Sequence, residues 1–241
     1  MIRQKNISIY ISHLAISRSC LLLLSTLLCI MFTLSVDAQG RRKSAGTAEK
    51  DTVRLFRGFS VSADIVGPVM MAVSDYGQYE AALHLNLKDK YFPVVEVGYG
   101  KADHTEQTTQ LSYKTNAPYF RVGADFNVLK NKHDIYRLLV GVRYAFTSFK
   151  YDLNSPGVED PVWGDVAPYT AEGVKCNYHW LEAGLGVDVK LVGPVHLGWS
   201  LRYKQRLSAS EGKLGKSWYV PGYGKTGTSA FGALFNVAID I

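Results

Sequence analysis

From residue 59 onward the chain alternates strictly between apolar and polar positions, and the alternation recurs in eight blocks. The blocks fall at 59–65, 79–87, 91–99, 120–128, 136–146, 181–189, 195–203 and 231–241. In the fifth, Tyr136, Leu138, Val140, Val142, Tyr144 and Phe146 form one face; in the eighth, Phe231, Ala233, Phe235, Val237, Ile239 and Ile241 do so. A period of two is the signature of a β-strand with one buried face. No position of the apolar set is charged, although 20% of the chain is. The opposite face carries Asp64, Glu80, His84, Glu96, Arg121, Asp125, Arg137, Arg143, Glu182, Asp188, Lys190, His196, Arg202, Lys204 and Asp240.

Two architectures share this pattern. A soluble barrel or sandwich turns its apolar face inward; a membrane barrel turns it onto lipid and keeps the polar face in the lumen. Three features favour the second. Aromatic residues gather near strand ends on the apolar face, at Tyr79, Tyr91, Tyr99, Phe120, Tyr136, Phe146, Tyr203 and Phe231, as in interfacial girdles. Glycines concentrate on the charged face, at Gly98, Gly100, Gly123, Gly141, Gly184, Gly186, Gly198 and Gly232, where a narrow lumen needs room. Connections alternate between short (88–90, 129–134, 190–194) and long (66–76, 102–116, 152–172, 208–228), as periplasmic turns and external loops do. The pattern therefore predicts an all-β fold, an eight-stranded antiparallel up-and-down transmembrane β-barrel over 55–241. Tyr178 and Trp180 break the odd-numbered apolar phase of the sixth block, which predicts a β-bulge there.

The N-terminus predicts export. Arg3, Lys5 and Arg18 precede an apolar run from Cys20 to Val36, followed by Val36-Asp37-Ala38. This is the form of a secretory signal over 1–38 with cleavage after Ala38, followed by a polar, flexible periplasmic lead over 39–54. Only Cys176 would remain, too few for an internal disulfide or a cysteine-based metal centre. Losing the signal takes the formal charge from +6 to about +4, too mild for nucleic-acid binding but suited to anionic headgroups.

Several blocks have a further likeness. Asp75-Tyr76-Gly77-Gln78-Tyr79-Glu80, Phe92-Pro93-Val94-Val95-Glu96-Val97-Gly98-Tyr99-Gly100 and Ala117-Pro118-Tyr119-Phe120-Arg121-Val122-Gly123 resemble a family known as domain of unknown function 6048. So do His179-Trp180-Leu181-Glu182, Trp199-Ser200-Leu201-Arg202-Tyr203-Lys204 and Trp218-Tyr219-Val220-Pro221-Gly222-Tyr223-Gly224. The resemblance implies an exported outer-membrane barrel of Bacteroidetes-type bacteria. It implies no activity and no ligand, so it assigns no residue a role.

The acids and bases of the inner face nearly balance, which predicts mutual pairing in a lumen just wide enough for side chains to fill. Catalytic readings are weaker. Glu96 and Glu182 have no spacing that sets a glycosidase separation. His196 with Ser200, and Glu80 with His84, share a face, yet a lipid-modifying site needs polar groups near the lipid phase or an apolar pocket for an acyl chain. Here the lipid-facing positions are apolar or Tyr, while His196 belongs to the charged face. Cys176 and His179 are too few to ligate a metal. No cofactor is expected. Trp163, Tyr169, Trp218, Tyr219 and Tyr223 lie on the long links, where they could form a recognition surface or pack onto the rim. The expected protein is a closed, non-enzymatic barrel of the cell outer membrane. It would serve envelope structure or surface recognition, with membrane lipid and the barrel-assembly machinery as partners. The alternatives are a narrow pore or lipid-modifying outer-membrane enzyme, and a soluble periplasmic lipocalin-like carrier.

Overall fold

The computed structural model describes residues 54–157, 168–210, 212 and 215–241. The signal with Ala38, nearly all of the 39–54 lead, and Trp163 lie outside the described residues. Eight strands form the wall: β1 (Phe56–Asp64), β2 (Tyr76–Leu87), β3 (Tyr91–Thr105), β4 (Ser112–Asn127), β5 (Tyr136–Ser155), β6 (Tyr169–Val192), β7 (Val195–Ser210) and β10 (Ser229–Asp240). A helix, α1 (Val66–Val73), follows β1, and a small hairpin of β8 (Tyr219–Val220) and β9 (Gly224–Lys225) lies between β7 and β10. Each wall strand pairs antiparallel with its chain neighbours, and β10 closes the barrel on β1 through Val61↔Ile239 and Ala63↔Val237. This is the up-and-down eight-stranded barrel that the alternation predicts.

The side chains decide the orientation of the two faces. Val95, Val142 and Leu185 point outward and are 57%, 55% and 56% exposed, while Glu96, Arg121 and Glu182 point inward and are 0%, 1% and 1% exposed. A water-soluble barrel would be the reverse. Outward rings pair across strands into girdles, as Tyr91 with Phe126 and Phe120 with Phe146 do.

Three parts of the fold differ from the sequence expectation. Strand continues into the links 102–116 and 152–172, over 102–105 and 112–116 in the first and, among the described residues of the second, over 152–155 and 169–172. β3 and β4 stay paired out to Thr105↔Ser112, and β5 and β6 out to Ser155↔Tyr169, so two long hairpins continue past the apolar band. Their outward residues there are polar, so apolar alternation fades although the ladder continues. The predicted bulge at Tyr178 and Trp180 does not turn β6 over. Cys176, Tyr178, Trp180 and Glu182 all point inward, and the extra residue in the β6–β7 ladder is Leu207, since His179 pairs with Ser208 and Trp180 with Arg206. The apolar even positions are the lumen changing from ionic to aromatic, not a change of face.

The third difference is the link 66–76. β1 stops at Asp64, opposite Asn236, while β10 runs up to Ser229 with β7 as its partner. α1 stands where the upper half of β1 would be. Asp64 fixes it there: its carboxylate accepts hydrogen bonds from the backbone N–H of Val66 (3.2 Å), Gly67 (2.8 Å) and Phe235 (3.3 Å). Gly77 lets the helix lie against β2, because a Cβ there would sit 2.4 Å from Cγ of Met71. The outward face of the helix, Val66, Val69 and Val73, is exposed and apolar, like the strands beside it. Removing a side chain that caps a helix costs about 1 kcal/mol. Asp64→Ala is therefore expected to speed amide hydrogen exchange over 66–73 while the strands stay protected; unchanged exchange would count against this role.

Candidate functional site

Alternation along β2 to β7 delivers one or two ionic side chains per strand into the lumen at one level. Register then sets opposite charges side by side, with Glu96 opposite Arg121, Arg143 opposite Glu182, and Glu182 opposite Lys204. Glu96 is the hub. It accepts from Arg143 Nε at 2.7 Å, from Arg121 Nη1 at 3.1 Å, and from Arg202 through Nη1 at 2.7 Å and Nη2 at 2.9 Å. Glu80 binds Arg121 and lies 3.3 Å from Arg202 Nη1, while Tyr119 Oη donates to it at 2.8 Å. Glu182 accepts from Trp180 Nε1 at 2.7 Å and lies 2.9 Å from Arg121 Nε, a close ion pair whose angle is not that of a hydrogen bond. Arg143 also donates to Asp125 at 2.7 Å. The four acids Glu80, Glu96, Asp125 and Glu182 thus face the four bases Arg121, Arg143, Arg202 and Lys204. Glycine makes the room: a Cβ on Gly141 would collide with Asp125 Oδ1, and one on Gly98 with the Tyr119 ring.

A second cluster lies nearer the short turns. His196 sits between two carboxylates, with Nδ1 at 3.0 Å from Asp188 and Nε2 at 2.9 Å from Asp240. Arg137 reaches Asp188 at 3.3 Å and stacks on Phe92. His84 stands 3.9 Å from Asp125. Between the clusters is a cavity of about 80 Å³ lined in part by Ser60, Ser62, Ser200 and Asn236. That is polar and roomy enough for a few waters. Lys190 belongs to neither cluster. It lies exposed at the rim, beside the register shift that ends β6, because alternation fixes only the face and not the depth.

Above the ionic layer the lumen is aromatic: Tyr113, Tyr119, Phe149, Tyr151, Tyr178 and Trp180 are buried inside the barrel mouth. Sequence reasoning missed this layer. Its signal was present, because Tyr113 and Tyr119 share the odd parity of Arg121 and Asp125. The β8–β9 hairpin closes the mouth. Tyr219, Val220, Pro221, Gly222 and Tyr223 are buried, and the tip meets the ionic layer directly. The carbonyl of Gly222 accepts from Arg121 Nη2 at 2.9 Å and from Lys204 Nζ at 2.6 Å, and that of Tyr223 accepts from Lys204 at 3.1 Å. Burial pushes the Tyr223 hydroxyl up to about 12, so it stays protonated and donates to the Gly227 carbonyl. Tyr219 and Tyr223 therefore do not present a loop surface. Trp218 is half-buried and stacks on His104, 4.3 Å between ring centres, and Tyr169 remains exposed at the start of β6.

At the opposite end, Lys88 and Asp89 both take positive φ, +57° and +53°, in the three-residue link 88–90 between β2 and β3. Asp89 binds Asn86 Nδ2 (2.7 Å), Arg57 and His133. Burial alone would raise its carboxyl, but these partners outweigh it and hold the carboxyl below the ordinary range. A depressed carboxyl contributes stability above its unfolded pKa and loses it as pH falls through the folded one. The difference in unfolding midpoint between the native protein and Asp89→Asn is therefore expected to be constant above about pH 5 and to close below it. A difference that persists undiminished in acid would contradict this.

No curated protein matches the chain. Among solved structures it is similar to Neisserial surface protein A (12% identity, 77% of this chain and 99% of that one, TM-score 0.40). It is also similar to a major outer membrane protein from Thermus thermophilus (16%, 76% and 98%, TM-score 0.41). A third is the N-terminal β-barrel domain of Pseudomonas aeruginosa OprF (10%, 76% and 97%, TM-score 0.35). A model of the domain of unknown function DUF6048 matches residues 19–240, and the chain belongs to that family.

Proposed function

We propose that the protein is an integral barrel of a bacterial outer membrane, sealed against bulk flow, with a structural or recognition role carried by its long-loop end. The observation that carries this reading is the inversion of the two faces. A closed wall of exposed apolar side chains surrounds buried ion pairs, and an exposed apolar surface on that scale needs lipid to cover it. The apolar belt also speaks against a soluble carrier. Three successive fillings speak against a pore: the His196 cluster, the Glu96 layer and the aromatic mouth closed by the β8–β9 hairpin. The polar groups of the lumen are spent on one another, and His196 faces inward between two carboxylates, which favours a non-catalytic role. The extended β3–β4 and β5–β6 hairpins reach past the apolar band, which supports a recognition role at that end.

The test is membrane fractionation with heat-modifiable gel migration, followed by planar-bilayer recording. Recovery in the outer membrane, a folded form that migrates apart from the boiled one, and no steady conductance are the expected results. Recovery in the soluble periplasm would overturn the membrane reading; a sustained single-channel current would overturn the sealed one.

A further inference from the structure

We infer that the β3–β6 wall binds phosphate-bearing lipid headgroups through a row of outward lysines; this rests on the outer-membrane reading above. Lys101 on β3, Lys150 on β5 and Lys175 on β6 are all exposed and stand at one level. The register places them: Lys101 pairs with Asn116, Thr115 with Tyr151, and Lys150 directly with Lys175. Like charges directly opposite in an antiparallel pair repel and lower stability. Among the described residues none of the three lysines makes an ion pair.

The surroundings say from which side an anion would come. The nearby acids Asp103, Asp152 and Glu172 stand farther out, toward the loop tips. Asp103 is already paired with Lys114 at 3.4 Å, and Asp152 Oδ1 accepts from the Gly173 N–H at 2.7 Å. Toward the membrane, the outward positions between the lysine row and the Phe120–Phe146 girdle are Tyr99, Pro118, Ser148 and Asn177, with no acid among them. The row stands two outward positions above the girdle, about 13 Å along a strand and about 10 Å in height at the usual tilt. Lysine stems can bend down over such a surface and keep their ammonium groups in the headgroup layer. A phosphate lying between Lys150 and Lys175 would turn their repulsion into two attractions, and the Asn116 amide beside them supplies a neutral donor.

The test uses the full-length barrel in detergent, given phosphatidic acid and phosphatidylcholine of the same chains in equal amounts, with retained lipid read by native mass spectrometry. Phosphatidic acid is expected to be retained in preference. The K101Q/K150Q/K175Q variant, all at exposed positions, is expected to lose that preference by roughly fivefold per lysine. Heat-modifiable migration verifies that the variant is folded, and Lys150→Glu alone is expected to weaken retention in the same direction. Equal retention of both lipids by a folded native barrel overturns the inference and leaves the membrane reading intact. Displacement by inorganic phosphate as effective as by phosphatidic acid also overturns it, since the site would then recognise the free ion. A barrel that retains no lipid of either kind and shows no heat-modifiable migration overturns the membrane reading itself.

Discussion

Glu96→Ala is expected to lower the stability of the barrel by about 3–5 kcal/mol, the usual cost of removing one partner from a buried ionic group. Glu96 is fully buried and engages Arg121, Arg143 and Arg202. Without it, three guanidinium groups share Glu80, Asp125 and Glu182, and Lys204 adds a fourth positive charge. The large cost does not mean that the cluster as a whole stabilises by as much. Desolvating so many charges offsets most of their attraction, and the penalty arises from leaving the remainder unmatched. Denaturant unfolding in detergent measures the change. Conductance is expected to stay absent, because removing one carboxylate leaves the aromatic mouth and the hairpin in place. A change below about 1 kcal/mol would place the cluster in the range of solvated surface pairs and contradict its enclosure.

Gly222→Val is expected to expel the hairpin that closes the mouth. Gly222 holds φ at +81°, which a β-branched residue adopts only under strain, and an added Cβ would lie 2.5 Å from Cγ of Tyr119. The backbone strain costs about 1–3 kcal/mol and overpacking a further 1–3. Neither can relax in place, since Tyr119 is itself held by Glu80 and stacked on Arg121. Withdrawal removes the Gly222 carbonyl from Arg121 and Lys204, so the ionic layer loosens as well. Limited proteolysis is expected to cut the variant within 215–228 while the heat-modifiable barrel persists. Resistance equal to that of the native protein would mean that the hairpin is not held by its tip.

The wall of this barrel is legible in the sequence because period-two alternation fixes a face, and not one outward apolar position is charged. Depth and contact are not legible in the same way. Lys190 shares the parity of Asp188 yet ends at the rim, because parity does not say how far along the lumen a residue sits. Tyr178 and Trp180 look like a change of face as long as an apolar even residue is expected to seek lipid. In fact the lumen has an aromatic storey above its ionic one. α1 is hidden because Val66–Val73 has no charge and is too short to show a helical period against its neighbours. The hairpin around Gly222 reads as an external loop. Its inward course depends on carbonyls that meet Arg121 and Lys204, and backbone acceptors leave no trace in side-chain patterning.

The central claim is that the even-numbered face of β5 meets acyl chains and the odd-numbered face is enclosed. Nitroxide labels placed singly at Leu138, Val140, Val142 and Tyr144 in the bilayer-reconstituted barrel test it most directly. Relaxation by dissolved oxygen and by a water-soluble nickel chelate reads the medium around each label. Oxygen accessibility rising toward Val140 and Val142, with the chelate excluded, is the expected result. Strong relaxation by the chelate at all four positions would put this face in water and contradict the account.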